Sequence, residues 1–219
     1  MKNKKPILIQ SDFDNTITIG NVSEQIHDKF GPDNWDTIYQ NYRSGKISVE
    51  ESNIYSFQFL NFTEQQLNEF VINNVKFRKG FKQFYDFILS KKIDYKIVSS
   101  GVDFYIKSSL KSIGIDYNSV AIYSGISEFV NDGIQIKYAD PFGNHIRSEF
   151  KNSFTEYHKN NYSKIIYLGD SLTDLNSSFK SDYVFATSKL YDYYVNNDLL
   201  CFYFDNYEDV LSKINELIN

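Results

Sequence analysis

Ile7-Leu8-Ile9-Gln10-Ser11-Asp12-Phe13-Asp14-Asn15-Thr16 is the stretch that decides how this chain is read. Ile7 to Gln10 is a compact apolar run that gives way at once to polar and acidic residues. That pattern predicts a strand buried on both faces, as in a parallel sheet, with acids at its carboxyl end. Asp12 and Asp14 are two positions apart, so in an extended chain both project to the same side. Two carboxylates that close repel unless a cation lies between them or one carries a proton. A strand end followed by an acidic turn or helix cap is the plainer alternative.

Outward from this stretch, Val22 to Asn74 reads as helical throughout, with Ile54, Phe57 and Leu60 at helical spacing. Thr63 and Gln66 have the spacing of a capping box. Gly80 to Lys91 predicts a helix with Phe81, Phe84, Tyr85 and Ile88 on one face. Strands then alternate with helices: strands at Tyr95–Ser99, Val120–Ser124, Lys164–Leu168, Tyr183–Ala186 and Cys201–Phe204, helices at Asp103–Ile113, Phe150–His158 and Leu172–Lys180. Phe129 to Tyr138 reads as a hairpin turning at Asn131-Asp132-Gly133, and Glu208 to Ile218 as a closing helix capped by Asn206. The alternation predicts an α/β fold with a doubly wound parallel sheet. The helical stretch after the first strand is too long for a simple crossover, so residues 21–78 are expected to form an inserted helical cap on a core of residues 1–20 and 79–219.

At 219 residues, 42% of them hydrophobic, the chain can bury a substantial core. Its net charge of −5 and the lack of a basic run argue against a nucleic-acid partner. The one cysteine, Cys201, excludes an intrachain disulfide and a cysteine-rich metal site, and its apolar neighbours predict a buried, inert thiol. The start is not that of a signal peptide, and no run approaches the ~20 apolar residues of a membrane span. A soluble protein of the cytoplasm, without a membrane partner, is expected. His27, His145 and His158 show no metal-ligand spacing.

Four polar clusters follow predicted strands or open a helix near them: Asp12 to Thr16, Ser99 to Gly101, Lys151, and Gly169 to Asp174. In open parallel sheets ligands bind beyond the carboxyl ends of the strands, so these clusters can converge. The acid pair suits attack on phosphorus by Asp12 and proton delivery to the leaving oxygen by Asp14. Gly169-Asp170-Ser171-Leu172-Thr173-Asp174 adds two acids that complete an oxygen-ligand site for Mg²⁺, while Asp170 or Ser171 can also cap the helix that follows. Ser99, Ser100 and Gly101 offer a hydroxyl and turn amides to phosphate oxygens, and Lys151 a fixed positive charge.

Taken in order, these residues resemble the motifs of the haloacid dehalogenase superfamily of phosphohydrolases: Asp12-Phe13-Asp14-Asn15-Thr16 is similar to its first motif D-x-D-x-T, Ser99 to the second, Lys151 to the third and Gly169 to Asp174 to the fourth. The resemblance implies a Mg²⁺-dependent phosphomonoester hydrolase. In it Asp12 is nucleophile and metal ligand, Asp14 is acid/base and metal ligand through its backbone carbonyl, Asp170 is a ligand, and Asp174 is a ligand or an orienting acid.

Within the superfamily the chain resembles the phosphoserine-phosphatase-like branch. More narrowly, VSSGVDFYI and LGDSLTD are similar to the methionine-salvage phosphatases of 2-hydroxy-3-keto-5-methylthiopentenyl-1-phosphate. The sequence departs from the pattern in three places. PFGNHIRSEF stands where those enzymes have a cysteine-rich segment, Asn15 where glycine is common, and Asn21 where phosphoserine phosphatases place a glutamate.

The substrate is expected to be a small phosphate ester read by the cap through Asn21, Glu24 and Arg43, with Trp35, Tyr39, Tyr42 and Phe57 as aromatic candidates. Phosphoserine hydrolysis, phosphotransfer to an acceptor hydroxyl, and an inactive scaffold binding a phosphorylated ligand are the competing readings. A dehalogenase fits worse, because displacing halide needs neither a metal site nor Asp14.

Overall fold

The computed structural model describes residues 5–218. In chain order the elements are β1 (Lys5–Ser11), β2 (Thr18–Ile19), α1 (Val22–Phe30), α2 (Trp35–Arg43), α3 (Val49–Phe57), α4 (Glu64–Asn74), β3 (Lys76–Phe77), α5 (Phe81–Ser90), β4 (Asp94–Val102) and α6 (Asp103–Ser112). There follow β5 (Ala121–Val130), β6 (Gly133–Ala139), β7 (His145–Ile146), α7 (Phe150–Asn161), β8 (Tyr162–Gly169), α8 (Leu175–Ser178), β9 (Tyr183–Ala186), α9 (Ser188–Asn196), β10 (Phe202–Tyr203) and α10 (Tyr207–Ile218).

The main sheet runs β10-β9-β8-β1-β4-β5-β6-β7. It is parallel from β10 to β5 and antiparallel from β5 to β7. β1 lies between β4 and β8, with Ile9 opposite Tyr95 on one side and Ile166 on the other. Its alternation divides the two faces. Gln10 points to α7, where its amide donates to Thr155 Oγ1 at 2.7 Å. Ser11 points the other way, toward Tyr95 and the α10 residue Tyr207. Asp12 continues the Gln10 side, which is why it meets a residue of α7.

The long helical stretch is not continuous. Gly31-Pro32 ends α1, because proline cannot continue a helix with its full hydrogen-bond set. Gly45, at φ 73°, turns the chain after α2. Capping boxes then restart α3 at Ser48 with Glu51 and α4 at Thr63 with Gln66, each cap contributing about 1 kcal/mol. β2 and β3 pair antiparallel, Thr18 opposite Phe77, so the chain enters and leaves the four helices side by side. Phe57, Leu60, Leu67 and Val71 from this region are fully buried in one cluster with Phe104, Ile106 and Ile134. At roughly 2 kcal/mol per buried side chain, that shared apolar contact is the main force seating α3 on the sheet and α4 on α6.

Other boundaries also shift. β5 and β6 form a longer hairpin than expected, with Val130 opposite Gly133 and only Asn131 and Asp132 between them. The helix expected over Leu172–Lys180 is a 3-10 turn, Leu172–Asp174, followed by the four-residue α8. Its tight start comes from Asp174, whose Oδ2 accepts the backbone N–H groups of Asp170 and Ser171 at 3.1 and 2.9 Å. α9 lies where the sequence reading assigns no element. Asn206 does cap α10, accepting from Glu208 N–H at 2.9 Å.

Candidate active site

One cavity of about 640 Å³ opens at the carboxyl end of the sheet. Asp12, Asp14, Ser99, Ser100, Gly101, Lys151 and Asp170 line it, and Asn21, Glu24 and Arg43 enter from α1 and α2. Asp174 lies directly behind, with no exposed surface.

The chain reverses after β1 on a single carbonyl, that of Phe13, which accepts the N–H groups of Thr16, Ile17 and Thr18 at 3.3, 2.8 and 3.2 Å. Asn15 sits in this turn at φ 57°, a left-handed conformation that glycine and asparagine tolerate best. That explains why asparagine replaces the usual glycine here. Arg78 clamps the turn by donating to the carbonyls of Asn15, Thr16 and Asp205 at 2.5, 3.2 and 2.7 Å.

At the end of β4 the register with β5 slips between Val98 and Val102, so Ser99, Ser100 and Gly101 bulge out of the ladder. Gly101 N–H donates to Ser99 Oγ at 3.1 Å. The Ser100 hydroxyl is already engaged, donating to Glu50 Oε1 at 3.0 Å, and its carbonyl accepts from Asn53 and Tyr138. Glu50 also accepts Phe150 N–H at 3.2 Å, so a buried carboxylate of α3 ties β4 to the start of Lys151's helix.

Lys151 is 3% exposed. Its ammonium donates to Asp12 Oδ2 at 3.1 Å, Thr173 Oγ1 at 2.7 Å and Asp174 Oδ1 at 2.6 Å. Burial alone would lower the lysine pKa, but Asp12 and Asp174 outweigh it and hold the ammonium charged. Asp174 is saturated, since Tyr167 donates to Oδ1 at 2.6 Å while Oδ2 takes two amides and the Ser171 hydroxyl. A side chain added at Gly169 would come within 2.7 Å of the Asp174 carboxyl carbon, so glycine is needed beside it.

Asp12, Asp170 and Asp174 each offer a carboxylate oxygen, all within 4.8 Å of one another, and all three residues are buried. Burial raises the Asp12 carboxyl, with Lys151 pulling it down and Asp174 raising it further. Asp170 is held well above the usual carboxylate range by burial and by Asp174 and Asp12. Among the described residues its side chain has one weak hydrogen bond, from the Thr16 hydroxyl at 3.5 Å. Three buried acids share one ammonium, so they can ionise together only with further positive charge, which a hard divalent cation supplies. The Asp14 carboxyl stands outside this trio, accepting from Val22 N–H and the Tyr105 phenol, each at 2.7 Å. Burial pushes it up to about 7, against the pull of those two donors.

Comparison with known proteins agrees with the fold and the phosphatase class. A family model described as "Pyrimidine 5'-nucleotidase (UMPH-1)" matches residues 54–214. The chain belongs to that family, within the haloacid dehalogenase superfamily of phosphatases. A "2-hydroxy-3-keto-5-methylthiopentenyl-1-phosphate phosphatase" of Brevibacillus brevis (strain 47 / JCM 6285 / NBRC 100599) is 31% identical over 193 residues, 86% of each chain. One of the same name from Bacillus cereus (strain ATCC 10987 / NRS 248) is 26% identical over 216 residues, 97% of each. A solved phosphoserine phosphatase, titled as a phospho-aspartyl intermediate analogue, superposes with a TM-score of 0.68 at 15% identity, over 95% of this chain and 99% of that one.

In this haloacid dehalogenase phosphatase two of the four aromatic candidates, Tyr39 and Tyr42, line the cavity beside Asn21, Glu24 and Arg43. Asn53 also lines it, as do Tyr105, Leu172, Ser188 and Lys189 from the sheet side. Asn21 caps α1, accepting Glu24 N–H at 3.0 Å. Trp35 and Phe57 lie outside the lining: Trp35 stacks on His27 at 4.2 Å, and Phe57 is core. His145 is exposed and also outside it. Cys201 is a free, half-buried thiol whose pKa burial raises.

Sequence reasoning overlooks Tyr105, Glu50, Arg78 and Lys189. Tyr105 sits two positions into the helix that follows Gly101, a location that could have flagged it. Glu50 and Arg78 carry no local signal, because their partners lie 50 or more residues away. Among the described residues no helix is long and apolar enough to cross a membrane.

Proposed function

We propose that this enzyme is a Mg²⁺-dependent phosphatase that hydrolyses a small phosphomonoester through a phosphorylated Asp12. The observation that carries the reading is the pairing of Asp12 with Lys151 at 3.1 Å in a cavity that also holds Asp14, a carboxyl protonatable near neutrality. An Asp12 oxygen attacks phosphorus, the bond from phosphorus to the ester oxygen breaks, and Asp14 gives its proton to that oxygen. Water then attacks the phosphorus of the aspartyl phosphate and loses a proton to Asp14, releasing phosphate and restoring Asp12. Lys151 stays charged throughout and offsets the negative charge of the transferring group. The Ser99 hydroxyl and the amides of the Ser99–Gly101 bulge, Ser100 included, hold phosphate oxygens.

Asp12 and Asp170, with the Asp14 carbonyl, would hold Mg²⁺, and Asp174, saturated by its own donors, would orient Lys151 and the Gly169–Ser171 turn. The ion supplies charge neutralisation that lets an anionic carboxylate approach an anionic phosphate.

Residues 21–78 act as the cap and residues 1–20 and 79–219 as the core. Asn21, Glu24, Tyr39, Tyr42 and Arg43 contact the organic part of the substrate, and closure over it would exclude water. The names of the curated relatives favour 2-hydroxy-3-keto-5-methylthiopentenyl-1-phosphate, a reaction of methionine salvage in the cytoplasm. The name of the family model favours a pyrimidine nucleoside 5'-monophosphate instead.

Phosphate release with and without Mg²⁺ across a panel containing both compounds, phosphoserine and simple alkyl phosphates separates these substrates. Turnover that survives Asp12→Asn would end the assignment. Transfer to added alcohols in preference to water would make the enzyme a phosphotransferase.

A further inference from the structure

Tyr105 has no exposed surface, and its phenol donates to Asp14 Oδ2 at 2.7 Å. The other oxygen, Oδ1, takes Val22 N–H at the same distance. A carboxyl gripped on both oxygens cannot rotate about its last bond without breaking one of the two contacts. Phe13 and Phe104 hold the tyrosine ring at centroid distances of 6.3 and 5.5 Å, so the phenol is itself fixed. The surrounding sequence leaves room for this bond. A Cβ at Gly101 would stand 2.3 Å from the Tyr105 oxygen and 2.9 Å from Asp14 Oδ2, so any side chain there would push the phenol off the acid. Of the two donors, Val22 belongs to the first helix of the insert and Tyr105 to α6 on the sheet. Of these two, the tyrosine is the donor that ties the acid's side chain to the sheet that carries Asp12.

We propose that Tyr105 is a positioning residue, whose phenol holds the Asp14 carboxyl in the orientation from which it protonates the departing ester oxygen. The inference rests on the phosphatase reading above, with Asp14 as the acid. It predicts a dependence on the leaving group. An alkoxide is too basic to depart without a proton, whereas 4-nitrophenolate departs readily without one, so a misaligned acid slows alkyl esters selectively.

The test is kcat/KM, which reports formation of the aspartyl phosphate, for an alkyl phosphate and for 4-nitrophenyl phosphate with Mg²⁺. Wild type, Tyr105→Phe and Asp14→Asn are compared, and melting temperatures are measured alongside. Tyr105→Phe keeps the packed ring and removes one oxygen. It should lower kcat/KM for the alkyl ester by about 10-fold or more, within the range a general acid supplies, and change the aryl ester less than about 3-fold. Equal losses on both esters would mean a merely structural role, and no loss would mean no role; either overturns the proposal. Asp14→Asn should show the same selectivity with a larger alkyl loss. If Asp14→Asn is selective and Tyr105→Phe is not, only the tyrosine assignment falls. If Asp14→Asn is itself unselective, the acid assignment falls and this inference with it.

Discussion

The Lys151 ammonium lies 3.1 Å from Asp12 Oδ2 and is the one cation bonded to the buried carboxylates of the site among the described residues. Both side chains are nearly excluded from solvent, so each depends on the other for its charge.

Lys151→Met is expected to leave Asp12 and Asp174 without their counter-ion. Removing one member of a buried ion pair costs about 3 kcal/mol or more, and the loss of fixed positive charge should lower kcat/KM at least ~100-fold. Denaturation in EDTA measures the first effect and phosphate release with Mg²⁺ the second. Added Mg²⁺ should restore part of the stability and little of the activity. A variant as stable as wild type in EDTA would show that the pair does not organise the site.

Asp170 has the opposite balance, being a buried carboxylate whose one side-chain hydrogen bond among the described residues is the Thr16 hydroxyl at 3.5 Å. Asp170→Asn should raise the melting temperature of the metal-free protein, because it removes a buried carboxyl whose ionisation burial, Asp174 and Asp12 oppose, and abolish the rise that Mg²⁺ gives the wild type. At 100 times its dissociation constant a bound ion stabilises by about 2.7 kcal/mol. Thermal melts in EDTA and in millimolar Mg²⁺ check both halves. An unchanged Mg²⁺ response would remove Asp170 from the proposed ligand set.

His158 gives a prediction about acid. Burial, assisted by the Lys96 charge, lowers its pKa from 6.5 to about 3, while Nδ1 pairs with Gln10 Oε1 at 2.9 Å and Nε2 has no hydrogen-bond partner among the described residues. The unfolded chain takes up a proton near pH 6.5 and the folded one resists, so this contribution is intact above 6.5 and is lost as pH falls toward 3. Between pH 6.5 and 4.5 the loss should reach about 2 kcal/mol. His158→Asn, whose amide can replace Nδ1–H toward Gln10, should flatten that part of the stability profile in urea titrations. His27, lowered to about 4 by burial, adds a parallel slope that the variant retains. An identical slope in variant and wild type would refute the assignment to His158.

Much of the fold was legible in short range. β1, β8 and β9 contain apolar runs of the length and composition of buried parallel strands, and the capping box at Thr63 is a local hydrogen-bond pattern. Tyr183–Ala186 has the bounds expected of it. The breaks between α1 and α4 were less legible, because apolar spacing continues across turns that Gly31-Pro32 and Gly45 impose. α8 and α9 were obscured for another reason. Tertiary bonds set their starts: Asp174 tightens the first, and Asp170 O accepts Leu190 N–H at 2.8 Å at the second.

By itself the sequence determined the alternating architecture and the chemical inventory of the pocket: Asp12, Asp14, Ser99, Lys151, Asp170 and Asp174 each sit where a strand or helix end delivers them. Periodicity and residue type act locally, so one chain suffices to read them. Tertiary structure alone decided what each group does to its neighbour. Lys151 reaches Asp12 across 139 positions, and Tyr105 reaches Asp14 across 91. A carboxyl's proton affinity depends on the burial and charges around it in space, and spacing along a chain carries neither.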